Sequence, residues 1–125
     1  MNDTKHTLQE IKDLVNKFVS EREWQQFHSP KNLSMAIAIE AAELMEPFRF
    51  VTSEESLEIL ESDKEQISTE IADVLIATVA FCNLHNIDMS QAIIKKLASL
   101  RQKYPLDKAK GSNKKYHHYL AILQL

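Results

Sequence analysis

The chain has 125 residues, 44% of them hydrophobic, with one Gly, three Pro, one Cys and a formal net charge of -3. This length suits one compact domain, and so little Gly and Pro leaves scant material for hairpins or long linkers, which favours an all-helical protein. The lone Cys82 excludes an internal disulfide and gives no sign of secretion, while the slightly negative charge leaves no footprint for nucleic acid.

The first segment, MNDTKHTLQE, is polar and lacks an apolar signal core. Helix one is predicted to begin at Thr7, where Thr7 and Glu10 make a T-x-x-E capping box. Leu8, Ile11, Leu14, Val15, Phe18 and Val19 then recur with helical spacing. The segment EREWQQFHSPKN closes this helix and leads to the next. Ser29 before Pro30 reads as an N-cap followed by proline at the first helical position. Helix two runs from about residue 30 to residue 45, and Pro47 ends or kinks it.

Residues 51–62 are acidic and weakly apolar, and read either as a short helix or as a mobile connector. Helix three is predicted from Ser62, with Glu65 completing a second capping box, to about His85, a length of roughly 35 Å. Its middle, IADVLIATVAF, is apolar on nearly every side and so needs more than one neighbour; a subunit interface is the preferred explanation. Its longest apolar stretch, Val74 to Phe81, is too short to span a bilayer. Asn86 suits a left-handed helix end, and Asp88 with Gln91 resembles a capped start for helix four, which Tyr104-Pro105 terminates. Residues 105–125 read as a basic, partly flexible tail whose last residues, AILQL, can dock on a partner or on the core. The expectation is one domain over 1–125, an oligomeric all-α four-helix bundle, soluble and cytoplasmic, without repeats and without a membrane or nucleic-acid partner.

Four acids stand where such a bundle buries oil. Glu40 and Glu43 interrupt LSMAIAIEAAELM, and Glu70 and Asp73 interrupt ISTEIADVLIATVAF. Each pair is spaced i, i+3, so its carboxylates share one helix face. Leu33, Ala36, Ile37 and Leu44 lie on the stripe of the first pair; Ile67, Ala77, Ala80 and Leu84 lie on or beside that of the second. Burying carboxylates is costly and they repel one another, so something positive must offset them. Lys or Arg partners are few on these two helices. Oxygen-only ligands favour Mg²⁺ or Mn²⁺ over zinc. A di-iron bundle needs Glu-x-x-His pairs, and no His follows Glu40, Glu43 or Glu70 at that spacing. The constellation suits metal-assisted hydrolysis of a phosphoanhydride; the competing reading is a non-catalytic helical interaction module with a structural cation. A single Gly excludes a P-loop, and Cys82 among Phe81 and Leu84 reads as a core residue rather than a nucleophile.

IEAAEL followed by EIADVL resembles the MazG-like, all-α nucleoside triphosphate pyrophosphohydrolases. EREWQQFHSPKNL resembles a segment of their dCTP pyrophosphatase branch, NIDMSQAIIKKLASLRQKYP resembles its fourth helix, and GSNKKY its basic C-terminal stretch. The resemblance covers roughly residues 7–116. It implies Mg²⁺-dependent cleavage of a (deoxy)nucleoside triphosphate, dCTP first, to monophosphate and pyrophosphate, as nucleotide-pool housekeeping in a homodimer or homotetramer. Glu40, Glu43, Glu70 and Asp73 would hold the metal and serve catalysis. Trp24 and His28 would contact substrate, with Phe27 between them. Ordinary helix packing explains Trp24 and Phe27 equally well. Lys31 and Asn32 would touch phosphate or simply solvate the start of helix two. Lys96, Arg101, Lys103, Lys114 and Lys115 are candidates to neutralise phosphate. This chain departs from the branch pattern at Phe50, where a Trp is common, at Ala77, where an aromatic is common, at Leu100, where an Asn is common, and at Pro47. The wider space at Ala77 leaves other dNTPs open.

Overall fold

The computed structural model of the chain describes residues 1–114, and those residues are helical or irregular, with no strand among them. The fold divides into two compact units, Met1–Ile87 and the segment from Asp88 onward.

In the first unit α1 spans Leu8–Glu21 and opens on the expected capping box: Thr7 Oγ1 accepts from Glu10 N at 3.2 Å, and Thr7 N donates to Glu10 Oε2 at 3.2 Å. A 3₁₀ turn, Trp24–Phe27, follows, entered through Glu23 at φ 52. That left-handed residue is not Gly, Asn or Asp, and nothing in sequence spacing signals it. Helix α2, Pro30–Met45, starts on the predicted Ser29 cap, whose hydroxyl accepts from Asn32 N at 3.1 Å. Pro47 falls in a second 3₁₀ turn, Glu46–Phe48, which ends the helix as its missing N–H requires.

Residues 51–62 resolve in favour of a helix: α3 spans Ser53–Ser62 behind an N-cap at Thr52, whose hydroxyl accepts from Glu55 N at 3.1 Å. Thr52-x-x-Glu55 is itself a capping signal, one that competes with the later Ser62 and Glu65. The second capping box expected at Ser62 and Glu65 is not formed. Ser62 instead closes α3, its hydroxyl donating to Ile59 O, and the next helix starts at Asp63 without a side-chain cap. That helix, α4, spans Lys64–Leu84. Its end is as predicted: Asn86 sits at φ 56, and Ile87 N donates back to Cys82 O at 3.0 Å.

Helix α2 packs chiefly against α4, α1 packs on α4, and α3 packs on α4 and the second 3₁₀ turn. The core consists of Val19 from α1, Leu33 from α2, and Ile67, Val79, Ala80 and Cys82 from α4. Cys82 is therefore a core residue, as its neighbours suggested. Asn83 Nδ2 donates to Lys12 O at 2.9 Å, tying α4 to α1. By length and composition alone α4 meets the test for a membrane-crossing helix, as the core helices of soluble proteins also do, and it carries Glu70 and Asp73 along its length.

In the second unit α5 spans Met89–Lys103, capped by Asp88, whose carboxylate accepts from Gln91 N at 2.9 Å. Tyr104 and Pro105 end it, and a short helix α6, Leu106–Ala109, occupies the start of what was expected to be a loose tail. Gly111 at φ 73 provides the turn beyond it. The expected docking segment AILQL lies outside the described residues.

Leu33 is only 4% exposed, at the α2–α4 contact. Leu33→Ala should cost about 2–5 kcal/mol of stability, read from chemical denaturation.

Candidate functional site

The two i, i+3 pairs deliver their carboxylates to one place. A ligand oxygen from each of Glu40, Glu43, Glu70 and Asp73 lies within 4.8 Å of all the others. Glu40, Glu70 and Asp73 are half-buried and Glu43 is exposed, so the cluster opens to solvent on the Glu43 side. Leu33, Ala36, Ile37 and Leu44 around the first pair, and Ile67, Ala77, Ala80 and Leu84 around the second, are all buried or half-buried. This is the apolar setting the sequence stripes predicted.

Glu40 Oε2 and Glu70 Oε2 are buried and have no hydrogen-bond partner. The other oxygen of Glu70 accepts from Gln66 Nε2 at 3.0 Å. Buried polar atoms without partners are uncommon in folded proteins and need an explanation. The Glu40 carboxyl is held above its ordinary value of 4.5, first by burial, then by a hydrogen bond with Glu43 and by repulsion from Glu43, Asp73 and Glu70. A divalent cation would answer both observations. Mg²⁺ takes oxygen ligands at ~2.0–2.1 Å, so oxygens across one ion stand about 4.2 Å apart. The quartet's 4.8 Å span fits that with a small inward movement.

Beside the carboxylates lies a cleft of about 210 Å³. Glu40 and Asp73 stand at its acidic end, Trp24, His28 and Phe18 form a wall, and Ala77 and Ile76 line the α4 side. Trp24 packs edge-on against Phe18, with ring centres 5.6 Å apart, and Arg22 lies 3.8 Å over the Phe18 ring. His28 Nδ1 is buried and unpartnered. Two larger depressions, about 380 Å³ near Phe48 and α3 and about 450 Å³ near the N-terminus, are not bordered by the acidic quartet.

Trp24 and His28 line the same cleft as Glu40 and Asp73. Phe18 and Ile76 were not anticipated at the cleft. Their signals were present, Phe18 on the α1 stripe and Ile76 one helical turn after Asp73, but both read as plain core. Phe27, Lys31, Asn32 and Phe50 of the first unit are not among the residues lining this cleft. Phe27 is 59% exposed. Lys31 is exposed on the first turn of α2, and Asn32 Nδ2 donates to Phe27 O at 2.9 Å, which makes it a strut of the connector. Phe50 is 83% exposed and carries the Arg49 guanidinium 4.6 Å over its ring. Lys96 and Arg101 are exposed on α5, and Lys114 is exposed beyond α6. Lys103 sits in the last turn of α5, and Lys115 lies outside the described residues.

Residues 35–118, which contain the acidic quartet, match the MazG-like family. The chain belongs to the MazG-like family. Over 112 residues it is 38% identical to dCTP pyrophosphatase 1 of Mus musculus and 37% identical to dCTP pyrophosphatase 1 of Homo sapiens, covering 88% of this chain and 66% of each relative. The chain therefore spans just under two thirds of the length of those curated relatives. Its fold is similar to that of a pyrophosphatase from Archaeoglobus fulgidus DSM 4304, with a TM-score of 0.77 and 37% identity over 84% of this chain and 98% of that one. The acid pairs fall within the residues matched to the MazG-like family, whereas Phe18, Trp24 and His28 of the cleft precede them.

A proton and a divalent cation compete for the same oxygens. Because the folded Glu40 carboxyl is raised, its stabilising contribution is present below about pH 4.5 and is lost as pH rises through its higher folded value. Mg²⁺ should then raise Tm by several degrees at neutral pH, and the gain should shrink as pH falls through that window. Thermal melts with and without Mg²⁺ across pH check this; no gain at neutral pH would remove the cation site.

Proposed function

We propose that this chain hydrolyses (deoxy)nucleoside triphosphates between the α and β phosphates, giving a monophosphate and pyrophosphate, with dCTP the favoured substrate. The observation that carries the reading is the convergence of four carboxylates, two with buried unpartnered oxygens, at the end of an aromatic-walled cleft. The likeness to dCTP pyrophosphatases in sequence, and to a pyrophosphatase in fold, supports the same reaction class.

The cleft's 210 Å³ is below the ~300–1,000 Å³ typical of whole-ligand sites, which supports a division of labour. The base enters between Trp24 and Ala77, where an indole face can stack and His28 Nδ1 can meet the base edge. The triphosphate then lies toward Glu40 and Asp73. Glu40, Glu43, Glu70 and Asp73 would hold Mg²⁺, with Mn²⁺ a substitute. Bound there, the ion would supply neutralisation of phosphate charge and acidification of water. A carboxylate of the quartet orients the attacking water and receives its proton. Lys31 and the basic residues Lys96, Arg101, Lys114 and Lys115 are proposed to assist phosphate neutralisation.

A homodimer or homotetramer completes the proposal. Leu14, Met35, Ile39, Leu75 and Ile76 are each about half exposed on α1, α2 and α4, as faces awaiting a second copy would be. The setting is a single cytoplasmic MazG-like domain engaged in nucleotide-pool housekeeping.

Glu43 is the exposed member of the quartet, so Glu43→Gln should leave Tm nearly unchanged and reduce pyrophosphate release from dCTP at least a hundredfold, an effect of the order expected for a group that stabilises reacting charge. A dNTP panel with Mg²⁺ provides the control. Native protein that releases no pyrophosphate from any nucleotide would leave a cation-stabilised interaction module as the better reading; orthophosphate release would keep the enzyme class and refute the bond assignment.

A further inference from the structure

His85 makes a cross-helix contact that the proposed reaction does not yet use. Its Nε2 stands 3.1 Å from His28 O, joining the end of α4 to the connector that precedes α2. The His85 ring is half-buried and held edge-on to Phe81, with centres 5.2 Å apart. The connector's other backbone groups are also secured: His28 N donates to Gln25 O at 3.1 Å, and Phe27 O accepts from Asn32 Nδ2 at 2.9 Å. Fixed on these sides, His28 keeps its ring in the cleft wall with Nδ1 buried and unpartnered.

The geometry points to His85 as a positioning residue for the base end of the cleft, acting through the His28 carbonyl to fix the direction of the His28 ring. The assignment rests on the reading that the cleft takes the nucleotide base. Its physical content is directional: a ring nitrogen makes one useful hydrogen bond to a base edge only along a narrow range of angles, so the backbone that carries the ring must be fixed. Helix α4 also carries Glu70 and Asp73. One helix therefore sets both the carboxylate end of the site and, through His85, the His28 end, and so fixes the span a nucleotide must bridge between base and phosphate. His85 itself is not among the cleft-lining residues, so its influence passes through His28.

The test uses the full chain with Mg²⁺ and compares His85→Leu, which removes the donor at similar volume, with His85→Gln, whose amide can still donate to His28 O. His85→Met is a second donor-free variant should the leucine protein fail to fold. The donor-free variant should raise KM for the best dNTP about five- to tenfold while kcat changes less than twofold, and His85→Gln should restore KM. The Mg²⁺ midpoint should not move. Amide hydrogen exchange over residues 24–29 should accelerate in the donor-free variant and recover in His85→Gln. An unchanged KM with unchanged exchange overturns the assignment. So does a glutamine variant that behaves like the donor-free one, since the ring and not its hydrogen bond would then matter. If native protein releases no pyrophosphate from any nucleotide, the hydrolase reading fails on its own, and the exchange comparison still decides whether His85 fixes the connector.

Discussion

The packing of α2 against α4 forces like charges together, and the rest of the site depends on that imposition. Left free, Glu40, Glu43, Glu70 and Asp73 would separate into solvent. Their helices are joined by Leu33, Ile67 and Ala80 in the core, and apolar burial of this kind does not depend on what the acids prefer. The result is a quartet with ligand oxygens within 4.8 Å of one another, a buried unpartnered oxygen on each of Glu40 and Glu70, and a Glu40 carboxyl pushed toward its protonated form. Removing one partner of a buried ion pair leaves an uncompensated charge and destabilises a protein; among the described residues, the ion pairs Lys17–Glu21, Arg22–Glu21 and Arg49–Glu46 do not involve the quartet. Such a cluster could hold a metal ion, and its oxygen-only ligands suit a hard divalent one.

The cleft beside the quartet follows from how α1 is joined to α2. Helix α1 ends at Glu21, Glu23 turns the backbone through the left-handed region, and a single 3₁₀ turn brings Trp24 and His28 toward α4. A left-handed turn at a residue other than Gly or Asn costs of order 1–2 kcal/mol. Local bonds offset it: Gln26 Nε2 donates to Glu23 O, Gln25 Nε2 donates to Ser20 Oγ, and Glu23 N donates to Ser20 O. The aromatic wall is a connector braced from within its own sequence and from α4.

Apolar surface is the fold's other notable property. The first unit buries few residues fully, while Met35, Ile39, Leu75 and Ile76 remain roughly half exposed on the helices that form the site. Solvated faces of this composition are unfavourable for an isolated chain, and their presence on α2 and α4 links any assembly of the protein to the helices that hold the carboxylates.

The sequence by itself determined the helices and their punctuation, because those depend on neighbours within a turn. Thr7 with Glu10, Ser29 with Pro30, Pro47, Asn86 and Asp88 all act locally, and each stands where its chemistry demanded. The acid pairs and their shared faces were legible for the same reason: i, i+3 spacing is a property of one helix. Errors arose where two local signals competed. Ser62 with Glu65 looked like a cap, but Thr52 with Glu55 had already started a helix that consumed Ser62. Only the tertiary structure decided that the two pairs meet, that Phe18 and Ile76 line the cleft while Phe50 stays in solvent, that Asn32 braces Phe27, and that His85 reaches His28. Those facts depend on contacts between residues far apart in the chain, and helical periodicity gives the face a residue occupies but not the partner that face meets.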